Sequence, residues 1–186
     1  MNRIEFVKKN LFGKILDVGC SGRDDELHDS INDKNVYGLD IEIRQPKIRK
    51  IKGDAQEMPL KSNNFDAIVA GELIEHLPKP ENFLKEAKRI LKSKGVIIIT
   101  TPNKSSLWNK IFKSYFTKSH QILFDTKTIK STISKYFIIE TLLCLPYTEP
   151  YLLGPKGASF IWFRRFIHHF LPQSLQENMI ILARNE

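Results

Sequence analysis

Apolar residues recur along this chain with two different periods. Ile15-Leu16-Asp17-Val18, Val36-Tyr37-Gly38-Leu39-Asp40 and Phe65-Asp66-Ala67-Ile68-Val69-Ala70 are brief, mostly apolar runs next to Gly, Asn, Asp or Lys, and with the more polar, edge-like 48–52 they predict four strands. A short helix is predicted over 24–31, between the first two. From Pro80 to Lys92 the period lengthens: Phe83, Leu84, Ala87, Ile90 and Leu91 share one helical face, with Gly95 as the stop. Val96 to Thr101 is a continuous run, the mark of a central strand buried on both faces. Strands alternating with helical patterns predict a doubly wound α/β domain around a parallel sheet. The second half is less regular. It predicts a helix from Asp125 or Thr126 through Ser134, a strand around 137–143 and a last strand over 178–183. The simplest organisation is one domain over 1–186, with 104–124 and 146–175 as lid-like insertions.

Composition narrows the class. The chain has 186 residues, 41% hydrophobic and 27% charged, enough for one sizeable core. No stretch approaches the roughly 20 uncharged apolar residues that span a bilayer. Met1-Asn2-Arg3-Ile4-Glu5-Phe6 lacks a hydrophobic run before a small-residue cleavage site, so a cytoplasmic location is expected. Cys20 and Cys144 are too few and too far apart for a disulfide framework or a zinc set. The net charge of +8 is uneven, with 18 Lys/Arg against 16 Asp/Glu in residues 1–103 and 11 against 5 in 104–186. A basic second part attracts nucleic acid, anionic lipid or a phosphorylated small molecule without choosing among them.

Candidate chemistry begins at the turn after the first predicted strand. Gly19-Cys20-Ser21-Gly22 puts small residues where a strand passes into a helix, so the backbone can turn sharply and approach a ligand. Asp40 ends the second strand, where a carboxylate can accept bonds from both hydroxyls of a ribose. Asp54 follows the third strand, in reach of an adenine amino group, and Gly71 and Glu72 follow the fourth. Singly, each acid can be a turn or helix cap. Four groups in register at the carboxyl ends of strands point to a nucleotide-type cofactor. Gly19 and Gly22 match only part of Gly-x-Gly-x-x-Gly, which argues against a dinucleotide dehydrogenase.

The blocks Leu16-Asp17-Val18-Gly19-Cys20, Gly38-Leu39-Asp40, Gly53-Asp54-Ala55, Phe65-Asp66, Glu75-His76-Leu77 and Leu91-Lys92-Ser93-Lys94-Gly95 occur in this order. Together they resemble the class I S-adenosylmethionine-dependent methyltransferases, in particular the broad group acting on quinones, sugars and lipids. The resemblance implies a Rossmann-like, seven-stranded sheet whose last strand inserts antiparallel beside the fifth. It also implies that Asp17, Gly19 and Ser21 line the methionine moiety of the cofactor. Asp40, with Ile41 beside it, would hold the ribose, and Asp54 with the Ala55 N–H the adenine. The family's Gly-x-Gly-x-Gly is here Gly19-Cys20-Ser21-Gly22-Arg23, with serine and arginine at its second and third glycines.

Glu72, Glu75 and His76 are spaced i, i+3, i+4 and would share one face of a short helix after the fourth strand. With His120 from the first insertion they could bind a divalent ion, as in the similar Glu-x-x-Glu-His set of small-RNA ribose methyltransferases and some quinone O-methyltransferases. Such an ion would activate an acceptor hydroxyl. Without one, His76 is the candidate base and Glu75 its neighbour. Leu107, Trp108, Ile111, Phe112, Tyr115 and Phe116, and later Phe160 to Phe170, form aromatic stretches dotted with Lys and Arg. Lids over a substrate cleft, peripheral adsorption to a membrane and, third, RNA contact are the readings they allow. No Asn/Asp-Pro-Pro-Tyr motif or strand-end catalytic Cys is present, which argues against base-amino and pyrimidine-carbon methylation and leaves transfer to a nitrogen of a small acceptor as the lesser alternative to oxygen. The expected activity is methyl transfer to an oxygen of a small or lipid-linked acceptor. RNA ribose methylation, or a non-catalytic cofactor-binding regulator, are the alternatives.

Overall fold

The computed structural model describes residues 3–20, 35–43, 49–107, 110, 120–145, 166–167 and 170–186. Seven strands make one sheet: β1 (Ile15–Val18), β2 (Val36–Asp40), β3 (Lys50–Lys52), β4 (Phe65–Gly71), β5 (Leu91–Pro102), β6 (Ile138–Leu145) and β7 (Asn178–Arg184). Their order is β3-β2-β1-β4-β5-β7-β6. The first five pair in parallel, and β7 runs antiparallel between β5 and β6. This is the doubly wound sheet with an inserted antiparallel last strand that the sequence led us to expect.

The strands bury alternate residues on opposite faces. Leu16, Ile68, Ile97 and Ile99 join one core cluster, while Ile15, Ala67, Val69, Val96 and Ile98 join another. The first cluster is covered by α2 (Pro80–Ile90) and α3 (Thr126–Ile133) through Phe83, Leu84, Ala87, Ile90, Ile129 and Ile133. The second is covered by α1 (Arg3–Asn10), through Phe6 and Val7. Pro80 opens α2, where its missing N–H has no intrahelical partner to lose. Asp125 caps α3 in a reciprocal box, accepting from the Thr128 N–H while its own N–H donates to the Thr128 hydroxyl.

Several boundaries move. Helix α2 ends at Ile90 rather than Lys92, because Leu91 already pairs with Phe65 of β4. The Asn185 side-chain amide reaches the carbonyls of Lys88, Leu91 and Lys92 at 3.2–3.3 Å and covers this helix end. Gly95 does not stop the helix. A Cβ there would lie 2.9 Å from the Lys92 carbonyl oxygen and 3.0 Å from that of Asp66, so it is small because two backbones meet. The left-handed turn before it falls to Lys94, at φ 63°. Helix α1 was not foreseen. The expected helix over 24–31, about half of 104–124 and most of 146–175 lie outside the described residues. Among the described residues no helix is long and apolar enough to cross a membrane.

Strand order reverses between β1 and β4, which opens a crevice at the carboxyl ends of the strands.

Candidate active site

A cavity of about 390 Å³ occupies this end of the sheet, within the size range of small-molecule sites. Gly19 contributes from the end of β1, Leu39, Asp40 and Ile41 from the end of β2, and Gly53 to Gln56 from the loop after β3. Leu73 and His76 to Pro78 close it from the turn after β4.

Each wall has a local cause. Gly19 has φ 85°, and its N–H donates to the Leu39 carbonyl at 2.8 Å, lashing the ends of β1 and β2 together. A Cβ at Gly19 would meet Leu73 Cδ1 at 3.2 Å, so a side chain here would press on the cavity wall. Asp40 ends β2 in a tight turn, its Oδ1 accepting from the Glu42 N–H at 3.0 Å. Asp54 does the same one strand over, accepting from the Gln56 N–H at 2.8 Å. The Gly53 N–H donates to the Asp40 carbonyl at 2.9 Å and sets the two acidic turns side by side. Ile41 is 69% exposed at the cavity, an apolar side chain available to a flat ring. Two carboxylates on neighbouring turns, an apolar side chain by them and a backbone crossing without a Cβ fit the ribose and base of an adenosine.

Of the residues singled out from the sequence, Gly19, Asp40, Ile41, Asp54, Ala55 and His76 come together on this cavity. Asp17 is buried within β1 and does not line it, nor do Glu72 and Glu75. Ser21 lies outside the described residues. Sequence reasoning missed Leu39, Gln56, Leu73, Leu77 and Pro78 as lining residues. Leu39 and Leu77 stand inside quoted motifs, and Gln56, Leu73 and Pro78 stand directly beside recognised residues, which was the signal available for them.

The acid and histidine cluster is organised differently from its expected helical face. Only Ile74–His76 form a single 3₁₀ turn, and Glu72 stands before it at φ 49°. The Glu72 N–H is used by Thr100 of β5, donating to its carbonyl at 3.0 Å. The Glu72 carboxylate accepts from the Thr100 hydroxyl at 2.9 Å and lies 3.7 Å from the Arg3 guanidinium. Glu72 therefore leaves the candidate metal set. Glu75, His76 and His120 do meet, with one ligand atom of each within 4.8 Å of the others. The Glu75 carbonyl accepts from the N–H groups of Gln121 and Ile122, which docks the chain after His120 against the turn. The imidazoles of His76 and His120 then pack edge to face at 4.8 Å.

Glu75 is the unusual member, at 1% exposure. Its Oε2 accepts from the Thr101 hydroxyl at 3.0 Å, while Oε1 is buried with no hydrogen-bond partner among the described residues. Burial first, and the nearby Glu72 carboxylate second, push its carboxyl up to about 8. A buried carboxylate oxygen beside two imidazoles is a donor set that a divalent cation would satisfy.

Residues 16–99 match the family model for a methyltransferase domain. The ubiquinone biosynthesis O-methyltransferase of Dechloromonas aromatica is 28% identical over 122 residues, 55% of this chain and 51% of that protein. The sterol 24-C-methyltransferase erg6 of Aspergillus fumigatus is 36% identical over 99 residues, 45% of this chain and 26% of that protein. The match to these relatives thus covers about half of their length or less. Among solved structures, an S-adenosylmethionine-dependent methyltransferase from Archaeoglobus fulgidus shares the fold with a TM-score of 0.65 at 20% identity, over 99% of this chain and 95% of that one. Matched segment, strand order and crevice agree: residues 16–99 carry a methyltransferase domain, on the fold that the chain shares with that solved S-adenosylmethionine-dependent methyltransferase.

Proposed function

We propose that the chain directs the methyl group of S-adenosylmethionine to an oxygen of a small or lipid-linked acceptor. One observation carries this reading: Asp40, Ile41, Asp54 and Ala55 share a single cavity with His76. S-adenosylmethionine, when bound, supplies an electrophilic methyl group on a sulfonium that leaves as a neutral thioether. The Asp40 carboxylate accepts bonds from the two ribose hydroxyls. The Asp54 carboxylate accepts from the adenine amino group, and the Ala55 N–H donates to a ring nitrogen. Asp17, Gly19 and Ser21 lie on the segment that would run beside the methionine end. His76 takes the proton of the acceptor hydroxyl as its oxygen forms the new bond to carbon. Holding the two reactants in line supplies most of the remaining acceleration. A base facing the cavity suits an oxygen acceptor, since a hydroxyl must lose its proton as the new bond forms.

Glu75, His76 and His120 support a second reading, in which a divalent ion would acidify the acceptor hydroxyl and its proton would leave to solvent. They would hold the ion, which would lower the pKa of the acceptor hydroxyl and occupy the imidazole otherwise serving as base. The buried Glu75 oxygen is the observation in its favour.

Calorimetric titration with S-adenosylhomocysteine tests the central claim. Saturable binding is expected, weakened about 5- to 150-fold by Asp40→Ala for two lost hydrogen bonds of about 0.5–1.5 kcal/mol each. No binding of either S-adenosylmethionine or S-adenosylhomocysteine would overturn it.

A further inference from the structure

The loop after β3 has only a local turn and an isolated bridge between Asp54 and Glu57, yet it presents Asp54, Ala55 and Gln56 to the cavity. Something outside the loop must hold it. At its near end the Gly53 N–H is fixed on the Asp40 carbonyl. At its far end the clamp comes from α2. The Arg89 guanidinium forms a two-pronged pair with Glu86, Nε to Oε1 at 2.8 Å and Nη2 to Oε2 at 2.7 Å. The same guanidinium then donates to the Leu60 carbonyl at 2.7 Å and the Met58 carbonyl at 3.0 Å. Glu86 Oε2 accepts from the Met58 N–H at 2.8 Å, so Met58 is held through both of its backbone groups. A third tie joins the residue before α2 to the loop, the Lys79 N–H donating to Gln56 Oε1 at 3.0 Å.

An i, i+3 Glu/Arg pair on a helix surface ordinarily contributes little. Here the pair instead spans to three backbone groups of another segment. Only a guanidinium supplies enough donors in a fixed plane to serve Glu86 and two carbonyls at once. The hydrogen bonds with Arg89 hold the Glu86 carboxyl below its usual range, in keeping with a pair made in its charged form.

We propose that Arg89 and Glu86 are positioning residues for the base-binding loop, setting the place of Asp54 and Ala55 without touching the ligand. This rests on the cofactor reading above, and the experiment separates the two. S-adenosylhomocysteine and S-inosylhomocysteine, which lacks the 6-amino group, are titrated into wild type and into Asp54→Ala, Arg89→Met, Arg89→Lys and Glu86→Gln variants, each checked for folding by circular dichroism. Wild type should bind the adenosyl ligand and Asp54→Ala should weaken it; failure of either overturns the cofactor reading. Arg89→Met should weaken the adenosyl ligand about tenfold but the inosyl ligand less than about threefold. The placement of Asp54 matters only where there is an amino group to bind, and that of Ala55 only where the adjacent ring nitrogen can accept, as in adenine but not in hypoxanthine, whose N1 carries a proton. Arg89→Lys and Glu86→Gln, which keep part of the clamp and are less disruptive, should fall between Arg89→Met and wild type. Equal weakening of both ligands would mean general loosening and would overturn the positioning role. So would unchanged affinity in folded Arg89→Lys and Glu86→Gln proteins while Asp54→Ala still weakens binding.

Discussion

Gly19→Ala is the smallest change that should couple stability to the cofactor cavity. Residue 19 has φ 85°, a region in which an L side chain is strained by about 1–2 kcal/mol. The added methyl carbon would also sit 3.2 Å from Leu73 Cδ1, and Leu73 lines the cavity, so relief by a few tenths of an ångström narrows the site. The expected loss is about 1–3 kcal/mol, which for a chain of this length lowers Tm by about 2–10 °C. Thermal unfolding should be followed with and without S-adenosylhomocysteine at a fixed excess. If ligand affinity falls tenfold, the ligand-induced stabilisation should shrink by about 1.4 kcal/mol beyond the loss in the free protein. A free-protein Tm within a degree of wild type would refute the strain. A full ligand-induced shift in a destabilised variant would break the link between this turn and the cavity.

Three further outcomes follow from the geometry. Asn185→Ala should cost about 2–4 kcal/mol by uncovering the carbonyls at the end of α2, read as a lower denaturant midpoint, and an unchanged midpoint would show those carbonyls are otherwise satisfied. Asp125→Ala should cost about 1 kcal/mol near neutrality through loss of the α3 cap. The Thr128 N–H holds the Asp125 carboxyl below its usual 3.8, so the charged cap's contribution is present above that value and fades as pH falls through the lower folded-state value. A wild-type-to-variant gap that stays constant from neutral pH to about 2.5 would contradict the sign of that shift. Manganese or zinc should raise the Tm of wild type but not of Glu75→Gln, with S-adenosylhomocysteine affinity kept within about twofold. If neither ion shifts wild type, the ion reading falls and His76 is left as base.

The central strands β1, β4 and the Val96–Thr101 part of β5 were legible because each is a short apolar run buried on both faces. Asp40 and Asp54 were legible for a related reason: a carboxylate at the end of a buried parallel strand has few places to be except the crevice. The features that escaped depend on contacts between distant segments. Helix α1 has eight residues and only Phe6 and Val7 buried, too short a stretch for its period to stand out. The base-binding loop announced itself through Gly53-Asp54-Ala55, but its clamp is on Arg89, some thirty residues along at |i−j| = 31 for the Met58 bond, where local spacing shows just a helix-surface pair.

The acidic cluster shows how such a contact changes chemistry as well as shape. Spacing alone made Glu72 and Glu75 equivalent, two carboxylates on one helical face. That holds only if residue 72 spends its N–H inside a helix, and it spends it on Thr100 of β5. Glu72 is consequently turned to φ 49°, towards Arg3 and the Thr100 hydroxyl, where partners for its charge exist. Glu75 is left at 1% exposure with a hydroxyl on one oxygen, and burial drives its carboxyl up to about 8. Two neighbouring carboxyls with environments driven apart take different work. Glu72 is the fixed charge that ties α1 to the end of the sheet. Glu75 is the one whose charge, when ionised, needs a cation beside it, and it stands next to His76, the one histidine among the described residues that lines the cavity.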